Sequence, residues 1–221
     1  MKIVVIGAGL IGTSIALGAK RAGAEVELID ADGRAEALAN DLVESTKVLD
    51  PTIVVVATPS SALEGVIERF KSLYPKSTFI DIGSTKTKVK VDVQSDLKFA
   101  ARFCPTHPMA GRELVGAEGA QSDLFVGKSW IITPLPETSG ESIALVKEFI
   151  ENLGARVIAM SPEDHDFAVA AVSHMPQVIS SLLAAQLEGK SPEQYVVRDL
   201  NPTFESLTVA QKTAQDFVVN P

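Results

Sequence analysis

The sequence predicts an α/β protein. A doubly wound, mostly parallel sheet is expected over residues 1–160, followed by a shorter, all-helical domain over residues 161–221. Three observations carry this. Short β-branched runs alternate with segments of helical periodicity through the first part of the chain, as βαβ units covered on both faces do. A glycine-rich turn joins the first strand to the first helix. Beyond Ser161 the strand signals stop, and Ala, Val and Leu dominate in a helical pattern.

The elements follow in order. Ile3–Ile6 is a short buried strand, Ile11–Ala22 has helical periodicity, and Ala24–Ile29 is a second strand ending in Asp30. Arg34–Leu42 reads as helix and Ile53–Ala57 as a strong third strand. Ser60–Leu73 is helical, and Pro59 suits its start because its fixed φ is already helical. Ser77–Asp81 is a strand and Thr85–Ser95 a helix; Ala101–Cys104 and Ser129–Thr133 are further strands. Ser142–Leu153 is a helix and Arg156–Met160 the last strand. Ser161-Pro162-Glu163-Asp164 opens the next helix, with Ser as N-cap, Pro at the first position and acids in the first turn. That helix runs to Leu187, and Pro176 is expected to kink or divide it. Glu188–Pro192 is a break, and Pro202–Phe217 is helical again.

Composition narrows the function. Hydrophobic residues make up 46% and charged residues 22%, an ordinary globular balance. The net charge is −8 and no Lys/Arg block is present, which argues against nucleic acid as a partner. Lys86, Lys88 and Lys90 read as one solvated helix face. The single cysteine, Cys104, cannot form an internal disulfide, so it is expected to be a buried apolar residue in a cytoplasmic protein. Ile3–Ala19 is apolar and follows Lys2, like a signal peptide. It is too short for a membrane span of ~20 residues, and its glycines at 7, 9 and 12 fit a strand–turn–helix. No metal-ligand spacing is present.

Gly7-Ala8-Gly9-Leu10-Ile11-Gly12 matches G-x-G-x-x-G between a strand and a helix, the fingerprint of a Rossmann-type dinucleotide site. Gly7 permits the tight turn, Gly9 lets a pyrophosphate approach the backbone, and Gly12 lets helix and strand pack closely. The amides around Leu10 and Ile11 open the helix and supply donors for phosphate. Asp30 lies about 20 residues on, where a carboxylate accepts bonds from ribose hydroxyls and repels a 2′-phosphate. NAD is therefore preferred over NADP, with nearby Arg34 weighing the other way. Thr58 and Pro59 close the third strand and are placed along the cofactor, or simply form a helix entry.

Ser84 and Lys86, in Gly83-Ser84-Thr85-Lys86, emerge beyond the strand ending at Asp81. His107, in His107-Pro108-Met109-Ala110-Gly111, follows a strand expected to end at the same crevice. His174 sits in Ser173-His174-Met175-Pro176, and His165 is expected on a helix surface. These segments and the glycine loop, in this order and spacing, resemble the prephenate/arogenate dehydrogenase family over roughly residues 1–190. The resemblance implies NAD-dependent oxidative decarboxylation of prephenate to 4-hydroxyphenylpyruvate, a step of tyrosine biosynthesis. His107 is then the general base, since imidazole titrates near neutral pH. Ser84 bonds the same hydroxyl or holds His107, and also borders the cofactor. Lys86 steadies the cofactor loop or the substrate. Glu113 falls near the substrate entrance, and His174 on the other wall of the cleft.

The resemblance also implies a C-terminal arginine for a substrate carboxylate. The segment Phe204–Lys212 has none; Glu205 stands at one plausible position, and Lys212 or Arg198 is left as the cation. Homodimerisation through the C-terminal helices is expected, because the apolar 166–187 stretch needs a partner. Four alternatives stand beside this reading. The substrate is arogenate; the enzyme is a β-hydroxyacid-type dehydrogenase, which the absence of lysine from 161–187 disfavours; the chain is a non-catalytic NAD-binding regulator; or Ser84 only caps a helix.

Overall fold

The computed structural model describes residues 1–112 and 114–180. Seven strands form one sheet: β1 (Lys2–Ile6), β2 (Glu25–Ile29), β3 (Ile53–Val56), β4 (Thr78–Asp81), β5 (Phe103–Pro108), β6 (Ser129–Ile132) and β7 (Arg156–Ala159). Their order is β2-β1-β3-β4-β5-β6-β7. The first five are parallel. β6 runs antiparallel to β5, and β7 runs parallel to β6. The predicted α/β fold with a mostly parallel Rossmann-type sheet therefore forms.

Side chains alternate between faces along a strand, and here both faces are apolar. Ile3, Val5, Ile53, Val55, Ile80 and Cys104 enter one core. Val4, Ile6, Val54, Val56, Phe79 and Phe103 enter the other. The helices cover these faces. α1 (Leu10–Arg21), α2 (Gly33–Val43) and α6 (Gly140–Asn152) lie over the first core. α3 (Leu63–Lys71), α4 (Thr87–Gln94) and α5 (Leu97–Ala100) lie over the second. Local chemistry fixes their starts: Asp32 caps α2 through the Arg34 amide at 2.8 Å, and Ser139 caps α6 through the Ser142 amide at 3.1 Å.

Several boundaries differ from expectation. Ser60–Ala62 is a 3₁₀ turn, so α3 begins only at Leu63. The four-residue α5 was not signalled by periodicity; Asp96 makes it by accepting the Phe99 amide at 3.1 Å. The reversal at β6 follows from its connection. Among the described residues between β5 and β6, the only helical piece is the 3₁₀ turn Ala117–Gly119, and a parallel return needs a longer crossover.

The chain divides into two compact units, Met1–Glu163 and Asp164–Pro221. The helix α7 (Pro162–Val169) starts where the Ser-Pro-Glu-Asp signal places it. It does not end at Pro176. A π-helical turn over Ala170–His174 leads into helical residues 175–180. The wider turn makes room for the proline ring, which would otherwise strike the carbonyl four residues back. The rest of the expected helix to Leu187, the break at Glu188–Pro192 and the helix Pro202–Phe217 lie outside the described residues. Among the described residues no helix is long and apolar enough to cross a membrane.

Candidate active site at the carboxyl edge of the sheet

From β1 the chain crosses to β2 on one side and later to β3 on the other. Such a reversal of winding opens a crevice at the carboxyl ends of the strands. The glycine loop sits there. Gly7 has φ +119°, and a Cβ on it would stand 2.3 Å from the Ala57 carbonyl oxygen. A Cβ on Gly12 would stand 2.0 Å from the Gly7 carbonyl oxygen. Both glycines are dictated by the protein's own packing. Gly9 is not: a Cβ there meets nothing within 4 Å, and the residue is exposed. It caps α1 with no side-chain bond, in front of Leu10 and Ile11. The first amides of a helix have no acceptor within it, so this end presents donors toward open space.

Asp30 closes the loop from the side of β2. Its Oδ2 accepts the Ala8 amide at 2.6 Å and its Oδ1 the Asp32 amide at 2.8 Å. Glu36 Oε2 accepts the Asp30 amide at 2.7 Å. Two carboxylates thus flank the loop, while Arg34 is exposed. From β3, the Ala57 amide donates to the Ile6 carbonyl at 2.7 Å, which seats Thr58 beside the loop. The Thr58 hydroxyl oxygen is buried and has no hydrogen-bond partner among the described residues. Pro59 is exposed and precedes the 3₁₀ turn.

The ends of β4 and β5 carry the second half of the site. Ser84 is exposed in the loop after β4. It does not cap a helix, because α4 begins at Thr87 and its cap position is Lys86. His107 is half-buried near the end of β5, the strand adjacent to β4. Parallel pairing brings both residues to one edge of the sheet.

Lys86 departs from the expected solvated face. It is fully buried and ion-paired with Asp81, and its ammonium donates to the Thr106 carbonyl at 2.7 Å. The three lysines do not share a face, since positions two apart on a helix point in different directions. Lys88 alone of them is well exposed, and it pairs with Asp92. The residue that sequence reasoning missed is Asp81. It is 1% exposed. Its carboxylate accepts the Gly83 amide at 2.9 Å and the Thr106 amide at 3.2 Å, and its carbonyl accepts the Thr106 hydroxyl at 2.6 Å. The indole of Trp130 donates to the same Thr106 hydroxyl at 2.9 Å.

The remaining candidates belong to other parts of the chain. Glu113, Arg198, Glu205 and Lys212 lie outside the described residues. His174 belongs to the second unit and is half-buried in its π-helical turn. His165, expected at a surface, is fully buried, with Nδ1 2.8 Å from Asp166 Oδ1. Cys104 is buried as expected, and its burial pushes the thiol up to about 12.

Comparison with known proteins adds to this geometry. The family model described as "Prephenate dehydrogenase, nucleotide-binding domain" matches residues 9–159, and the one described as "Prephenate dehydrogenase, dimerization domain" matches residues 161–212. A prephenate dehydrogenase of Lactococcus lactis is 30% identical over 211 residues, covering 90% of this chain and 57% of the relative. One of Bacillus subtilis is 31% identical over 196 residues, covering 83% of this chain and 53% of the relative. The chain thus spans about half the length of these curated relatives. The crystal structure of A. aeolicus prephenate dehydrogenase, in complex with hydroxyphenyl propionate and NAD+, superimposes with a TM-score of 0.81 at 24% identity. That match covers 99% of this chain and 82% of the other.

Proposed function

Because the chain belongs to the prephenate dehydrogenase family, we propose that it oxidatively decarboxylates prephenate with NAD. The observation that carries the reading is the shared edge. The glycine loop, Ser84 and His107 all leave the carboxyl ends of neighbouring parallel strands.

The residues present fit the dinucleotide. Gly9 leaves open space before the start of α1, whose amides are offered to a pyrophosphate, and the buried Thr58 hydroxyl has no partner among the described residues. Asp30 and Glu36 set negative charge beside the loop, which favours ribose hydroxyls over a 2′-phosphate. Bound NAD supplies the hydride acceptor.

His107 accepts the proton of the ring hydroxyl as the C–H bond at that carbon gives up its hydride. Loss of the ring carboxylate as CO2 then leaves an aromatic ring, 4-hydroxyphenylpyruvate. Ser84 donates to or orients the reacting hydroxyl from the neighbouring loop. The substrate's carboxylates call for cationic partners, and Lys212 and Arg198 are the candidates the sequence offers. The reading includes a cytoplasmic homodimer assembled through the second unit. It is supported by the family's dimerisation region over 161–212 and by Phe167 on α7 and Met175, Val178 and Ile179 on the helical residues after it, all of which are exposed.

The test is NADH formation, followed by absorbance, with NAD plus prephenate and then with NAD plus arogenate. Turnover with prephenate is the expected result, and a preference for arogenate replaces the substrate but keeps the chemistry. A folded protein that binds NAD and turns over neither substrate overturns the dehydrogenase reading.

A further inference from the structure

We propose that Asp81 is a positioning residue, which acts with Lys86 to fix the backbone that carries His107. The proposal rests on the reading of His107 as the general base. A buried ion pair is a poor way to fill a core, because desolvating two charges offsets much of their attraction. Here the pair is aimed at two segments of backbone. Asp81 Oδ1 accepts the Thr106 amide at 3.2 Å, and Lys86 donates to the Thr106 carbonyl at 2.7 Å. The two charges therefore hold both peptide planes that flank Thr106. The second of those planes contains the His107 nitrogen, so it sets the direction in which the imidazole leaves the strand.

The same carboxylate reaches the other segment. Its Oδ2 accepts the Gly83 amide at 2.9 Å, and a Cβ on Gly83 would stand 3.1 Å from that oxygen. The turn that presents Ser84 is wrapped around the carboxylate. The main-chain carbonyl of Asp81 adds a third tie, to the Thr106 hydroxyl at 2.6 Å. One residue thus sets the spacing between the loop of Ser84 and the strand end of His107. A core ion pair with no such role would leave those two segments without a shared anchor.

The experiment compares wild type with Asp81→Asn and with Asp81→Asn/Lys86→Met. The double variant removes both charges together, so no unpaired buried ammonium remains if the single variant fails to fold. Thermal unfolding establishes folding, and NAD titration establishes that the glycine loop is intact. The readouts are kcat with prephenate and the titration midpoint of the His107 imidazole by NMR. The His107 signal is assigned by its loss in His107→Asn. A displacement of ~1 Å can cost ~10²-fold in rate, so kcat is expected to fall about 10-fold or more. The NAD dissociation constant should stay within about twofold, and the His107 midpoint should move in the double variant as well, where no net charge has been removed. An unchanged kcat together with an unchanged His107 midpoint in a folded variant overturns the proposal. If wild type does not turn over prephenate, the substrate reading fails by itself, and the His107 titration still decides the positioning role.

Discussion

His107→Asn should lower kcat by about 10²–10⁴-fold, the usual contribution of a general base. The NAD dissociation constant should stay nearly unchanged, because the glycine loop belongs to other strands. Stopped NADH formation beside an intact NAD titration is the expected pair of results. Asp30→Ala removes a carboxylate that fastens Ala8 and Asp32. It should weaken NAD and narrow the preference over NADP, read from kcat/KM with each cofactor. At this scale the sequence speaks where a residue's chemistry is tied to its neighbours in the chain. Ser84 and His107 stand in short segments with few bland explanations. Asp81 was illegible for the opposite reason. An aspartate at the end of a strand reads as turn material, and its partner Thr106 lies 25 residues on. Only the pairing of β4 with β5 brings them together. Lys86 misled because alternating lysines hide where the helix begins. α4 starts one residue later, so Lys86 turns inward before the helix exists.

Whole elements respond to closer constraints. Gly12→Ala would place a carbon 2.0 Å from the Gly7 carbonyl, and α1 would have to lift away from β1. Overpacking of this kind costs typically ~1–3 kcal/mol. A lower melting temperature should accompany loss of NAD binding. Asp32→Ala removes the cap of α2 and should cost about 1 kcal/mol in denaturant unfolding. Strands and most helices were legible because the apolar runs of β1, β3 and β4 leave little choice, and because Ser161-Pro162-Glu163-Asp164 announces the start of α7. The antiparallel β6 was not legible, since direction depends on what the preceding connection lacks. Nor was the π-helical turn before Pro176, because a proline signals a disturbance without saying which form it takes.

At the scale of the molecule, Cys104 lies at the centre of one core, 0% exposed, with its thiol held up to about 12. An unfolded thiol ionises near ~8.5. The folded state therefore favours the protonated form. That contribution to stability is complete below about pH 8.5 and is lost as pH rises toward 12. Melting temperature should decline over that window, less so in Cys104→Ala after correction for its smaller core. A thiol reagent at pH 8 should label the protein only as fast as it unfolds, which labelling across a denaturant series checks. The lone tryptophan adds a second built-in signal. Trp130 is fully buried, and its indole is bonded to Thr106, the residue before His107. Its emission is thus an unlabelled optical probe of the strand end that carries His107. Energy transfer from the indole to bound NADH would let one excitation wavelength follow the arrival of cofactor and the state of that strand in the same sample.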